Sequence, residues 1–231
     1  MKSTYDSLDD IIVFDDFISP VYQDWLFFCA NHQDLNWVRN DKTSINGIDR
    51  DSIDGFENGF TNIHMLYRGD ELYNALNLES MRVMYGKNSH ESELTKTFMA
   101  LALEISELIN AKFLNRMQII STPQMGSNQV LFPHIDNDLP YGWSVIYYLN
   151  DSDGDTIIYR ERCNNQFQLP NFIRNDLKIR KRISPKKGRA VAFKNDLLHS
   201  GSYPKYNSRF VVNMNFCEKL DFYESKKIAY S

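Results

Sequence analysis

The chain has 231 residues, long enough to enclose a full hydrophobic core. Its 42% hydrophobic and 24% charged content lies near ordinary globular values, which argues against a disordered chain. A formal charge of -4 disfavours broad phosphate neutralisation, so nucleic acid is set aside as a partner.

The polar, acidic opening MKSTYDSLDD has neither the basic nor the apolar region of a secretory signal. Ile11 to Phe14 then reads as a short strand. Ser19 and Pro20 supply an N-cap and a first-turn proline for a helix carrying Val21, Tyr22, Trp25, Leu26 and Phe28. From Arg39 to about Gly59 the chain is rich in Asp, Asn, Ser and Gly without apolar periodicity, the texture of a long surface loop and a candidate lid. Leu94, Phe98, Leu101, Ile105, Leu108 and Ile109 recur at helical spacing, which predicts a second helix over about Glu93 to Lys112 with its apolar stripe against a sheet.

After Arg116 the texture changes. The runs MQIIST, NQVLF, GWSVIYYL, DTIIYR, RAVAFK and RFVVNMNF are short and β-rich, and turn residues such as Pro123, Gly126 and Gly188 separate them. They predict an antiparallel sandwich or barrel. No repeat or break in composition divides the chain, so the expected organisation is one domain over 1–231: N-terminal elements and lid over 1–115, a β-core over 116–217 and a tail over 218–231. No apolar run reaches the length of about eighteen residues that a membrane span needs. Cys29, Cys163 and Cys217 lie too far apart in sequence for a paired zinc site or a disulfide framework. The expected compartment is the reducing cytoplasm, without membrane association.

In FPHID, His134 and Asp136 stand two residues apart, which in extended chain puts both side chains on one face. His199 follows the strand RAVAFK, 63 residues beyond Asp136, far enough to return on another strand. Two imidazoles and one carboxylate make a facial set suited to iron(II), with three positions open to a chelating cosubstrate and dioxygen. Arg209 begins RFVVNMNF ten positions later, and a guanidinium pointing into the barrel there needs an anionic partner. A cosubstrate carboxylate, gripped by the planar fork, fits that need. Ser144, Ile146 and Tyr148 share one strand face, so the Tyr148 hydroxyl can join the same carboxylate, while Tyr147 packs on the opposite face.

These segments, FPHID, IYYLND, GDTIIYRE, KKGRAVAFKNDLLHSG and NSRFVVNMNF, resemble the prolyl 4-hydroxylase-like branch of the iron(II) and 2-oxoglutarate-dependent oxygenases, in family order and spacing. The opening IIVFDDFISP looks like the family's N-terminal strand and helix. The resemblance implies a mainly β fold, a double-stranded β-helix (a jelly roll, cupin-like) buttressed by N-terminal helices. It implies His134, Asp136 and His199 as iron ligands, and Arg209, Tyr148 and Thr156 around the distal carboxylate of 2-oxoglutarate. The cofactor set it implies is Fe(II), 2-oxoglutarate and O2, with ascorbate as an accessory reductant.

The implied reaction is hydroxylation of a C–H bond, of a peptidyl residue such as proline, with release of succinate and CO2. The sequence departs from the family in two places. Thr122, Pro123 and Gln124 occupy the stretch where a pocket Tyr is usual, and the usual Gly-Gly-x-Thr turn is reduced to Gly154, Asp155 and Thr156. Asp136 is intact, whereas halogenating relatives replace that carboxylate, so hydroxylation is favoured. The alternatives are the same chemistry on a free small molecule or nucleobase, and a jelly-roll sensor without turnover.

Bland readings cover the rest. His32, His64 and His90 lack partners at ligand spacing and are left unassigned, and the basic run KIRKRISPKK reads as a solvated hairpin edge rather than a nucleic-acid patch.

Overall fold

The computed structural model describes residues 3–5, 10–40, 60–68, 92–126, 129–136, 142–164 and 176–217. Most of the expected lid (41–59), His90 and the tail (218–231) lie outside the described residues.

The first strands are β1 (Ser3–Tyr5) and β2 (Ile11–Phe14). Helix α1 (Pro20–Ala30) starts as its sequence dictates, with the Ser19 hydroxyl accepting from the Tyr22 amide and proline at the first turn. Its buried residues are Gln23, Leu26, Cys29 and Ala30; of the five apolar residues expected to mark it, Val21, Trp25 and Phe28 are exposed. Two strands absent from the sequence reading follow, β3 (Val38–Asn40) and β4 (Thr61–Arg68). They pair antiparallel, Val38 opposite Ile63, so residues 41–59 connect neighbouring strands at the edge of a sheet. Arg39 and Asn40, expected to open the loop, therefore belong to β3.

Helix α2 (Thr95–Leu108) is shorter than its apolar period by a few residues. Asn110 adopts a left-handed backbone, φ 51°, and the amides of Asn110 and Ala111 return to the carbonyls of Glu107 and Ser106. That paired closure satisfies two orphan carbonyls and ends the helix.

The β-core comprises β5 (Phe113–Thr122), β6 (Gly142–Tyr148), β7 (Thr156–Arg162), β8 (Ile179–Ile183), β9 (Ala190–Lys194), β10 (Leu197–Gly201) and β11 (Arg209–Cys217). One sheet runs β1-β2-β9-β6-β11-β5-β4-β3 and the other β10-β7-β8. Bridges of Val130 to Ser202 and His134 to His199 add the segment 130–134 beside β10. From β5 onward the chain thus passes back and forth between two sheets, and eight segments close into a double-stranded β-helix.

Alternation along each strand of the large sheet separates two cores. On the outer face Met117, Ile119, Val145, Tyr147, Ala192, Val212 and Met214 pack with Leu26 of α1 and with Phe98, Leu101 and Ile105 of α2. Each fully buried Val, Leu, Ile, Phe or Met side chain among them contributes roughly 1.5–3 kcal/mol, and together they fix α1 and α2 to this face. On the inner face Ile11, Ile146, Tyr148, Val191, Phe193 and Val211 meet Ile158, Ile183 and Leu197 of the small sheet. The inner face turns polar toward one end, where cross-strand pairing places Arg116, Asn213, Asn215 and Ser144 side by side.

The basic run lies on β8 and the turn after it, and its charges are matched by aspartates: Arg180 by Asp10 at 3.3 Å, Arg182 by Asp155 at 3.8 Å, Lys186 by Asp16 at 3.5 Å, and Lys187 by Asp24. Much of the run is therefore compensated on the spot. Among the described residues no helix is long and apolar enough to cross a membrane.

Candidate metal and cosubstrate site

His134 and His199 stand directly opposite each other in the bridge between 130–134 and β10. Each amide donates to the other's carbonyl, at 2.8 and 2.9 Å. A directly opposed pair sends both side chains to the same face, and the two imidazole centroids lie 4.4 Å apart. Each Nδ1 reaches the carbonyl two residues back, His134 to Phe132 at 3.1 Å and His199 to Leu197 at 3.2 Å. With Nδ1–H donating there, both Nε2 lone pairs are free to face inward. The Asp136 Oδ1 lies 3.8 Å from His134 Nε2 and 3.7 Å from His199 Nε2, so the three donors come together as the sequence expectation required.

The electrostatics of this trio suit a cation. Burial and the neighbouring His199 push His134 down to about 4, which keeps its imidazole neutral near pH 7. Burial by itself would raise the Asp136 carboxyl, but His199, Arg116 and His134 outweigh it and hold the group well below the usual carboxylate range. A neutral imidazole and a carboxylate, the states favoured here for His134 and Asp136, are those a metal takes up. The ligand atoms of the three residues all lie within 4.8 Å of one another, close enough to converge on one ion.

Arg209, 7% exposed, projects from the start of β11 into the interior between the sheets. Its Nη1 donates to the Gly154 and Asp155 carbonyls at 3.0 and 3.2 Å, and its Nη2 to the Thr122 hydroxyl at 3.3 Å. Its Nε is buried without a partner, and among the described residues no carboxylate closes on the guanidinium. Burial lowers its proton affinity for the same reason. A buried cation with an open donor fits an anionic ligand.

Nearby, the fully buried Tyr148 donates to Thr156 at 2.7 Å, and burial raises its hydroxyl to about 12, so it remains a neutral donor. Tyr148 and Thr156 are brought together with Arg209, and Tyr147 does lie in the opposite core. Thr122, one of the three residues at which the sequence departs from the resemblance, presents a short hydroxyl to Arg209. Gly201 makes room for the arginine, since a Cβ there would lie 2.5 Å from Nη2.

Three residues next to the trio escaped the sequence reading. Arg116 Nη2 is 3.4 Å from Asp136 Oδ1, and the amides of Asn213 and Asn215 both donate to Asp136 Oδ2 at 3.1 Å. Two asparagines in a buried strand were the available signal, since strands are depleted in Asn and period two puts both on the face of Arg209. His64 bonds the Ser92 hydroxyl at 2.9 Å and His32 lies on the surface near Asp34, both away from the trio.

Comparison with known proteins agrees with this geometry. Residues 117–217 match the family described as 2OG-Fe(II) oxygenase superfamily. No curated protein sequence matches the chain. Among solved structures the chain is similar to a Pseudomonas putida prolyl-4-hydroxylase, at 12% identity and TM-score 0.51, over 91% of this chain and 93% of that one. It is also similar to a Trichoplax adhaerens prolyl hydroxylase in complex with a hypoxia inducible factor peptide fragment, at 14% identity and TM-score 0.50, over 90% and 84%. A 2OG-Fe(II) oxygenase family oxidoreductase from Burkholderia pseudomallei aligns at 11% identity and TM-score 0.52, over 91% and 86%. At these identities the likenesses establish the fold. The matched segment runs from within β5 to the end of β11 and contains the histidine–aspartate–histidine trio, so the β-core of this chain is similar to the 2OG-Fe(II) oxygenase superfamily, whose members use Fe(II), 2-oxoglutarate and O2.

Proposed function

We propose that the chain is a hydroxylase acting on a C–H bond of a peptidyl residue such as proline. In this reading His134, Asp136 and His199 hold the iron, and Arg209, Tyr148 and Thr156 seat the distal carboxylate of 2-oxoglutarate. The observation that carries the reading is the pairing of two features inside one β-helix: three converging donors, and a buried guanidinium whose Nε lacks a partner. The peptidyl substrate is supported by the prolyl hydroxylases among the similar structures, one of them holding a peptide.

Bound iron(II) supplies the activation of dioxygen. The overall reaction balances as R–H, 2-oxoglutarate and O2 going to R–OH, succinate and CO2: one oxygen atom enters the alcohol and the other the succinate carboxylate. The chain's own residues set its conditions. The Nδ1 bonds to the Phe132 and Leu197 carbonyls fix the two imidazoles, and the charge of Arg209 fixes the orientation of the cosubstrate. The inner apolar residues Ile146, Val191, Phe193 and Val211 keep water from the interior of the β-helix.

The first test is succinate release by the full chain with and without added Fe(II). His134→Ala, Asp136→Ala and His199→Ala should each abolish it and should also remove the shift in thermal midpoint caused by metal. Normal turnover in any folded variant refutes the ligand set. The second test exposes the iron-loaded enzyme to peptide libraries and a small-molecule extract and searches by mass spectrometry for an added oxygen. Modified proline-containing peptides are expected. Oxidised small molecules without a modified peptide refute the peptidyl reading and leave the iron chemistry standing.

A further inference from the structure

The side chains behind Asp136 form a relay with a single hydrogen-bonding solution. Arg116 Nε donates to the side-chain carbonyl of Asn215 at 2.8 Å, and its Nη2 to that of Asn213 at 3.2 Å. A guanidinium has donors only, so both asparagine oxygens must face it. Both amide nitrogens are thereby turned toward Asp136, where each donates to the same atom, Oδ2, at 3.1 Å. Asn215 also donates to Ser144, which in turn donates to Asn195 at 2.9 Å, so the relay is anchored in β6 and the turn before β10. Gly142 preserves that anchor, because a Cβ there would lie 2.0 Å from the Asn195 amide.

The consequence falls on the metal site. A carboxylate oxygen has two in-plane lone-pair sites, and on Oδ2 both are taken by the asparagines. Only Oδ1 faces the two histidine Nε2 atoms. Resting on the ligand set of the proposed function, we infer that Asn213 and Asn215, oriented by Arg116, are positioning residues that restrict Asp136 to one-oxygen ligation and so keep three coordination positions open. A carboxylate with Oδ2 released can bind through both oxygens and close one of the three. A six-coordinate ion with three protein donors has room for a bidentate cosubstrate and dioxygen together; with four it does not.

The test uses Mn(II) as the probe, with water-proton relaxation counting exchangeable waters on the bound ion and the thermal midpoint reporting folding. The wild-type chain should hold three such waters. Asn213→Ala/Asn215→Ala should hold two, a fall in relaxation enhancement of about one third for a six-coordinate ion. Arg116→Met leaves the buried asparagines in place while freeing their amides to rotate, and should move the count the same way if the double variant is too unstable to study. A purely structural role would lower the thermal midpoint and leave the count at three; that result in a folded variant overturns the inference alone. A folded wild type that binds no Mn(II), or binds it equally after His134→Ala, overturns the ligand set and the inference with it.

Discussion

Arg209 shows how one side chain acquires its meaning from burial. On the surface a strand arginine is unremarkable, but here it is 7% exposed, spends its Nη donors on two backbone carbonyls and a threonine, and leaves Nε unpartnered. A charge-assisted hydrogen bond to a buried carboxylate contributes roughly 1.5–3 kcal/mol. Arg209→Ala should therefore raise the 2-oxoglutarate concentration needed for half-maximal succinate release by about 10- to 150-fold without changing metal affinity. Gly201→Ala should reproduce the direction of that effect, because the added Cβ would lie 2.5 Å from Nη2 and 3.0 Å from Nη1 and must displace the guanidinium. A 2-oxoglutarate requirement unchanged in Arg209→Ala would place the carboxylate site elsewhere.

Among the elements, β9 is fastened at its entry by an ion pair. Arg189 grips both oxygens of Asp15, at 2.7 and 3.1 Å, and its Nη1 reaches the Ser184 carbonyl, which ties the turn after β2 to the turn after β8. The hydrogen bonds from Arg189, reinforced by its charge, hold the Asp15 carboxyl below its usual range. A carboxylate depressed in the folded state stabilises the fold above its unfolded value of about 3.9, and that contribution disappears as pH falls through the folded value. Asp15 is 36% exposed, so screening limits the pair to within about 1 kcal/mol. Arg189→Met should accordingly lower the thermal midpoint by a few degrees at pH 7, with the gap to wild type narrowing below about pH 4. A gap that is constant across that range would assign the loss to packing of the long side chain instead.

For the molecule as a whole, the large sheet divides stability from chemistry. Its outer face forms an apolar core with α1 and α2, while its inner face carries Arg209 and the asparagine relay and looks across to the trio on the small sheet. Leu101 of α2 is fully buried on the outer side. Leu101→Ala should cost roughly 2–5 kcal/mol of folding stability, read in a denaturant titration, and should leave the 2-oxoglutarate requirement of the folded enzyme unchanged. A changed requirement would show that the helical layer shapes the pocket through the sheet.

The sequence alone was enough for the features that depend on local order and spacing. Strand alternation put Tyr148 and Tyr147 on opposite faces, Ser19 and Pro20 marked the start of α1, and the motifs from FPHID to NSRFVVNMNF identified the trio and Arg209 in a β-helix. Tertiary structure decided what depends on partners remote in the chain. The strands β3, β4 and β8 are set by pairing with neighbours rather than by their own apolar pattern. The exposed Val21, Trp25 and Phe28 could not be told from core residues, because helical period gives a stripe but not the direction of the sheet it meets. The relay from Arg116 through Asn213 and Asn215 to Asp136 joins β5, β11 and the FPHID segment across nearly a hundred residues of chain. Hydrogen bonds of that range carry no sequence period, and only the closing of the two sheets brings their donors and acceptors within reach.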